Sequence, residues 1–387
     1  MARSLRTLIA SAALGAAIVL GALVVHGAPA SAQGLLPSPT PSPTPDTCYT
    51  GCEGPGLLPS PTPSPTPATC YGTECPVTFG PAYAPPTDGG SSGDSVRDVA
   101  NQRFNQMITN RVLGTVLLGV NEQVNCGDCM SAFGSVGSFS AGIHGRKEIT
   151  NNLSLIAGLA YTHYGEGNYS VTSAPIGAFA LRYDFTDWGS SRPFFDIGTI
   201  LTPWEKVRYT RSYNTNSGPV TVAGSTNSSN YAVYGRAGWI TRLSPRDEVA
   251  GSVEFWQLWQ RVSGYSDPTI AYNPFEATFA TGTDRTSLVK IGGQWTHLFG
   301  RSVEANINGG YVHSFGSNSG ILANITSMNG TNSVTATMGD QGWFELGGRL
   351  GFRVSESWIV DLFANGTVGP HPVGNTVHGG IGLRIKY

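Results

Sequence analysis

Charge is scarce in this chain. Only 12% of its 387 residues are Asp, Glu, Lys or Arg, about half the ~25% usual for a soluble globular domain. The formal net charge is −2, so no field is present that would draw in nucleic acid. Long apolar runs are missing beyond the N-terminus: no later segment reaches the ~18 uninterrupted apolar residues of a membrane-spanning helix. That argues against a helical membrane protein but leaves a barrel open, because barrel strands alternate. Catalytic signatures are missing too, with no H-E-x-x-H or P-loop. The histidines His26, His144, His163, His297, His313, His371 and His378 are scattered, without helical metal spacing. Asp267, Glu276, Asp284 and Asp340 are acids expected in solvated loops, where such residues are routine. Neither an enzyme nor a cofactor is expected.

What the chain does have is glycine, 51 residues, with 15 Tyr and 8 Trp. This mixture suits short strands, tight turns and an interface with lipid. Residues 1–32 read as an export signal: Arg3 and Arg6 precede the apolar run Leu8 to Val25, and Ala30-Ser31-Ala32 offers a small-residue cleavage site. The run approaches the length of an uncleaved anchor, but its Ala and Gly content and the cleavage site favour a signal.

Residues 33–93 are rich in Pro, Ser and Thr and repeat themselves: GLLPSPTPSPTPDTCYTGC is followed by GLLPSPTPSPTPATCYGTEC. The Pro-x pattern favours an extended, semi-rigid spacer without a core. Each repeat ends in a close cysteine pair, Cys48 with Cys52 and Cys70 with Cys75. In an exported chain these read as small disulfides; a zinc site is the lesser alternative. Cys126 and Cys129 also have redox spacing. Set between two expected barrel strands, they read as a disulfide pinning a surface loop rather than as a thioredoxin-like site.

Residues 94–114 predict a helix, with a capping box at Ser95 and Asp98 and Gly114 at the C′ position. It carries only a thin apolar stripe, while Arg97, Arg103 and Arg111 and several amides spread round the rest. A helix polar nearly all round is not a core helix. It either faces solvent or lies in a polar lumen.

From residue 115 onward the pattern has period two. Val377, Gly379, Ile381, Leu383, Ile385 and Tyr387 share one face of the last segment, opposite His378, Arg384 and Lys386. Full charges in mid-strand and aromatics near strand ends favour a membrane barrel over a soluble sandwich. Short connections (147–152, 186–191, 243–248, 298–302, 355–357) alternate with long ones (126–137, 165–173, 208–229, 264–283, 316–336, 368–376). Short turns belong in the periplasm and long loops outside, which puts Tyr387 at the periplasmic rim. Eleven strands follow residue 138; an even barrel needs another, and Thr115–Asn125 supplies it. The expectation is a twelve-stranded antiparallel outer-membrane β-barrel over 115–387. The helix, roughly 28 Å long, would lie in its pore and end at the periplasmic side. Lumen charges such as Arg146, Arg182, Asp184, Arg236, Glu254, Lys290, Glu304, Glu345, Arg349, Asp361 and Arg384 would pair across the lumen and contact the helix.

With this architecture the chain resembles the translocator domain of autotransporters, the type V secretion proteins, over about residues 94–387. The run GGIGLRIKY, with Ile381, Leu383, Ile385 and Tyr387, resembles the C-terminal signal read by the barrel-assembly machinery. RFNQMITNRVLGTVLLGVNEQVNC, residues 103–126, resembles the linker helix and first strand. The departure is the passenger, which is usually hundreds of residues long and here only a short Pro-rich segment. The resemblance implies a monomeric barrel in the outer membrane of a Gram-negative bacterium, held by lipid. It would export or display its own N-terminal segment on the cell surface, with the helix then plugging the pore. The alternatives are a small-solute channel, or an adhesin meeting a surface ligand through loops 208–229 and 264–283.

Overall fold

Alternation of inward and outward side chains closes the chain on itself. The structure is a computed structural model and describes residues 92–119, 128–136, 139–166, 169–215, 218–268, 275–318, 321–327, 330–336 and 339–387. The expected signal, the repeat with Cys48, Cys52, Cys70 and Cys75, and Cys126 lie outside the described residues. Among the described residues one helix, α1 (Ser92–Leu117), precedes the strands. The first strands are β1 (Cys129–Val136), β2 (Phe139–Glu148), β3 (Leu153–Glu166), β4 (Tyr169–Asp184), β5 (Ser191–Thr215), β6 (Gly218–Arg242) and β7 (Asp247–Val262). Two short strands follow, β8 (Tyr265–Ser266) and β9 (Ala277–Phe279), then β10 (Gly282–Phe299) and β11 (Val303–Asn318). The chain ends with β12 (Ile321–Ser327), β13 (Gly330–Ala336), β14 (Gln341–Arg353), β15 (Trp358–Val368) and β16 (Thr376–Lys386).

Twelve of these strands form a closed antiparallel barrel, in the order β1-β16-β15-β14-β11-β10-β7-β6-β5-β4-β3-β2. Closure leaves no unpaired barrel edge. The seam joins the first strand to the last, from Cys129 opposite Lys386 to Val136 opposite Gly379. At its foot Lys147 pairs with Asp128, whose other oxygen accepts the Glu148 N–H at 2.8 Å. Lys147 Nζ also sits 5.5 Å from the centroid of the Tyr387 ring.

The outer face is apolar. Leu159, Phe179, Ile197, Val233, Phe255, Ile291, Ile307, Leu346 and Ile381 all project from it, exposed. Trp239, Trp295 and Trp358 stand near one end of this belt and Trp204 and Tyr231 near the other. This is the girdled band expected of a barrel in lipid. The β2–β3, β4–β5, β6–β7, β10–β11 and β14–β15 connections share one rim with Tyr387, the turn rim. The opposite, hairpin rim carries a second sheet, β13-β12-β9-β8.

Three expectations change. First, β1 is Cys129–Val136, not Thr115–Asn125. Residues 115–117 are the end of α1, and Leu117 and Leu118 are fully buried. The segment CMSAFGSV, expected to be a long loop, alternates only weakly because Ser, Ala and Gly occupy both of its faces. The barrel therefore begins at 129 rather than 115, and Cys129 opens β1 at the turn rim instead of lying in a surface loop.

Second, α1 runs past Gly114. A Cβ at Gly114 would lie 2.3 Å from Ile200 Cδ1, so glycine there serves close approach to the wall, not capping. The capping glycine is Gly119, at φ 55°, whose N–H bonds Val116 O at 3.0 Å. Ser95 lies inside α1, buried, rather than capping it. Third, the long connections 165–173, 208–229 and 316–336 are largely paired strand, and 264–283 contributes the short strands β8 and β9. Cross-strand backbone hydrogen bonds extend the β5–β6 hairpin beyond the last β4 and β7 partners, Tyr209 and Ser228, to Thr215 and Gly218. One face of this extension is buried (Tyr209, Arg211, Tyr213 and Val222), but Arg, Gly and Thr interrupt its apolar alternation, so its sequence resembles a loop.

Replacing Gly114 with Val is expected to lower the urea midpoint of the folded barrel by about 1–3 kcal/mol of overpacking. Adding Ile200→Ala should recover part of the loss. An unchanged midpoint for the single variant would place α1 elsewhere than against Ile200.

Candidate functional site

A helix with polar side chains all round is stable out of water only if each of them meets a partner. α1 meets this demand inside the barrel. Nearly every side chain from Ser95 to Leu117 is buried or half-buried; Arg97 and Asp98, at the N-terminal end, are exposed. The helix packs mainly on β5, and the two run in opposite directions. Ser95 Oγ accepts a bond from Arg211 at 3.1 Å. The Gln102 side chain pairs with the Thr210 backbone, accepting its N–H at 3.1 Å. Gly114 reaches Ile200, and a Cβ at Gly158 on β3 would lie 2.9 Å from the Leu117 carbonyl. The N-terminal end of α1 thus lies at the hairpin rim and its C-terminal end at mid-barrel. The expectation that it reaches the opposite rim is corrected: Gly114 is at the height of Ile200, well short of Ser191 where β5 begins.

Glu205 is the centre of this contact. Gln106 Nε2 and Asn110 Nδ2 donate to it from the helix, Ser228 Oγ at 2.6 Å and Asn230 Nδ2 at 2.8 Å from β6. Tyr209 donates to Gln106 Oε1, and Tyr164 donates to Asn110 Oδ1 at 3.0 Å. Gln102, Gln106 and Asn110 follow an i, i+4, i+8 spacing, so one polar stripe of the helix faces one stretch of β5. The sequence does not single out Glu205; its only signal is an acid between Trp204 and Lys206.

The other faces of α1 are matched as well. Arg111 pairs with Glu345, which also takes Lys290 Nζ at 3.0 Å, and its guanidinium lies 5.3 Å from the Trp256 centroid. Arg103 is fully buried, 5.7 Å from the Tyr209 centroid. Phe104 meets Trp343 edge-on at 6.3 Å. Of the three helix arginines named from sequence, Arg103 and Arg111 face the wall and Arg97 does not.

Toward the turn rim the lumen holds charged side chains. Arg182 binds Asp184 at 2.8 Å, Arg236 binds Asp196 at 2.6 Å, Arg349 binds Glu304 at 2.8 Å and Arg384 binds Asp361 at 2.9 Å. These pairs run chiefly along the wall, within one strand or between neighbours, rather than across the lumen as expected. Arg384 also reaches Glu304, at 3.3 Å. A cavity of about 230 Å³ remains beside the helix, lined among others by Asn105, Thr109, Tyr164, Thr367 and His378.

The second sheet covers the other mouth. Arg211 Nε donates to Asp267 Oδ2 at 2.8 Å, and the same oxygen accepts the Ala277 N–H at 2.9 Å. Tyr265 stacks between Tyr209 and Phe279, with centroids at 6.1 and 4.6 Å. Asp267 and Asp284, expected as solvated loop acids, are therefore buried; Asp340 is exposed. At the C-terminus, Ile381 and Tyr387 are exposed on the outer face of β16, with Leu383 and Ile385 half-buried between them. Among the described residues no group of three or more His, Cys, Asp or Glu is placed to hold a metal.

No family model matches the chain, and no curated protein does. Its fold is similar to those of solved outer-membrane barrels. The translocator domain of the autotransporter NalP from Neisseria meningitidis is 12% identical, with 76% of this chain and 99% of that one covered and a TM-score of 0.49. The β domain of the Bordetella autotransporter BrkA is 14% identical, covering 67% and 99%, at 0.42. The toluene transporter TbuX from Ralstonia pickettii is 9% identical, covering 71% and 93%, also at 0.42. At such identities the likeness is one of fold, common to proteins of different function.

Glu205→Gln keeps the side chain's shape but turns one acceptor into a donor facing donors. It is expected to cost roughly 1–3 kcal/mol of barrel stability, read as a lower urea midpoint, and to expose α1 to protease. If neither changed, the helix would not depend on this contact.

Proposed function

We propose that this chain is an outer-membrane barrel that displays its own N-terminal segment on the cell surface and is then plugged by α1. The observation that carries this reading is the direction of the helix. Ser95 meets Arg211 at the hairpin mouth and Leu117 lies at mid-lumen, a direction that suits an N-terminal segment emerging through the hairpin mouth. With short turns inside and long hairpins outside, that mouth opens to the cell exterior. The displayed segment is the Pro-rich repeat, a pair of stiff stalks each ending in a small cysteine loop.

The mechanism needs no chemistry. The segment passes through the lumen, and α1 stops there because Gln102, Gln106, Asn110 and Arg111 find fixed partners. A disulfide across three or four intervening residues stays narrow, so the Cys48–Cys52 and Cys70–Cys75 loops pass even when oxidised. The barrel itself reaches the membrane through recognition of Ile381, Leu383, Ile385 and Tyr387 by the assembly machinery, with surrounding lipid as its other partner.

An epitope inserted at Gly54 should bind antibody on intact cells and be lost after external protease, while Tyr387 and the turn rim stay protected. An epitope reached only after permeabilisation would overturn the reading. In planar bilayers, deleting residues 92–117 should raise single-channel conductance several-fold over the full chain. Equal conductance of the two would remove the helix as plug.

A further inference from the structure

On the outer face of the barrel, just beyond the aromatic girdle of the hairpin end, four cations project from three of four neighbouring wall strands. Lys206 and Arg208 lie on β5, Arg261 on β7 and Arg285 on β10, all exposed. The wall order β10-β7-β6-β5 makes them an arc, spanning three strand spacings or roughly 14 Å. They also share a height. Lys206 is 15 residues beyond Ser191, Arg261 is 14 beyond Asp247 and Arg285 is 14 before Phe299, the turn-rim ends of their strands.

At ~3.3 Å per residue and a tilt near 40°, this puts them roughly 35 Å above the turn rim. The apolar band of such a barrel is about 25 Å tall, so the arc stands at the level of lipid headgroups. Trp204 and Tyr231, 62% and 44% exposed, lie on the apolar side of it.

The charges in this arc are unbalanced. Among the described residues none of the four has a carboxylate partner, whereas Arg182, Arg236 and Arg384 in the lumen are all paired. The acids of these strands at the same height, Glu205 and Asp284, are turned inward and buried. The flanking cross-strand residues are small or uncharged: Ser173 and Asn227 beside Lys206, Ser170 and Ser225 beside Arg208, Ser229 and Thr283 beside Arg261. Hydroxyl and amide donors next to guanidinium groups suit phosphate oxygens.

We propose that this arc binds a lipid headgroup carrying more than one phosphate, in the leaflet that surrounds the hairpin rim. Two arginines, on β7 and β10, and a Lys–Arg pair on β5 hold separate phosphates, and Trp204 and Tyr231 pack on the acyl chains below. One-sided placement gives the barrel a preferred lipid on the β5–β10 side alone. The proposal rests on the barrel spanning the membrane with its hairpins outward.

The test uses the full chain folded in neutral detergent, titrated with lipid A as the bisphosphorylated probe, with binding counted by native mass spectrometry. The variant carrying Lys206→Gln, Arg208→Gln, Arg261→Gln and Arg285→Gln should bind at least ten-fold more weakly, since each basic residue near an anionic surface contributes about 1 kcal/mol. Arg301→Gln with Arg353→Gln, exposed cations of the turn rim, should leave binding unchanged. Equal binding by the fourfold variant, an equal loss in the turn-rim variant, or equal affinity for singly phosphorylated phosphatidylglycerol would each overturn the proposal. Heat-dependent gel mobility reports whether each barrel is folded. Should the fourfold variant misfold, Lys206→Gln and Arg261→Gln alone give the same comparison with a smaller drop. A wild-type chain that folds but does not insert into vesicles would strike the membrane reading instead.

Discussion

A buried carboxyl group that has no cationic partner among the described residues organises this molecule. Glu205 takes its hydrogen bonds from two amides of the helix and from Ser228 and Asn230 of the neighbouring strand. Each donor would be costly to bury unpaired, and the acceptor more so. The helix and the wall are therefore stable in each other's presence. The helix has too few apolar residues to pack elsewhere, and the upper lumen has too many polar ones to stand empty of water. Polar satisfaction fixes the depth of α1 more sharply than apolar packing would, because hydrogen bonds have a register and hydrophobic contact is only roughly proportional to area.

The barrel has two differently built halves. Toward the hairpin rim a helix occupies the lumen, and amides, tyrosines and the carboxyls of Glu205 and Asp284 line it. Toward the turn rim the wall carries its own ion pairs, close to the strands that bear them. Arg111 and Glu345 join the halves, with Lys290 on the same carboxylate. Outside, the pattern is simpler: apolar belt, aromatic edges, and unpaired cations past one edge.

Much of this was legible in the sequence. The strand number, the closing strand, the helix and its place in a pore all followed from alternation, parity and the absence of an apolar helix face. What parity could not say was which segment supplied the remaining strand. Thr115–Asn125 is apolar because Leu117 and Leu118 close the buried helix end, whereas Cys129–Val136 is a strand made of small residues with little contrast between its faces. Contrast between faces therefore favours the wrong segment, and a strand beginning at 115 would carry the helix too deep. Glu205 was not legible at all. Its role depends on β6 and α1 meeting over it, and the residues involved are more than ninety positions apart in sequence on the helix side and more than twenty on the other.

Ser95 belongs both to the helix and to the lid over the mouth. It accepts a bond from Arg211, and Arg211 in turn holds Asp267 and through it Ala277 of the second sheet. The lid is therefore incomplete until the helix has come to rest beneath it. The contact that seats the helix also latches the lid, so that withdrawing α1 from the lumen would unlatch the mouth in the same movement.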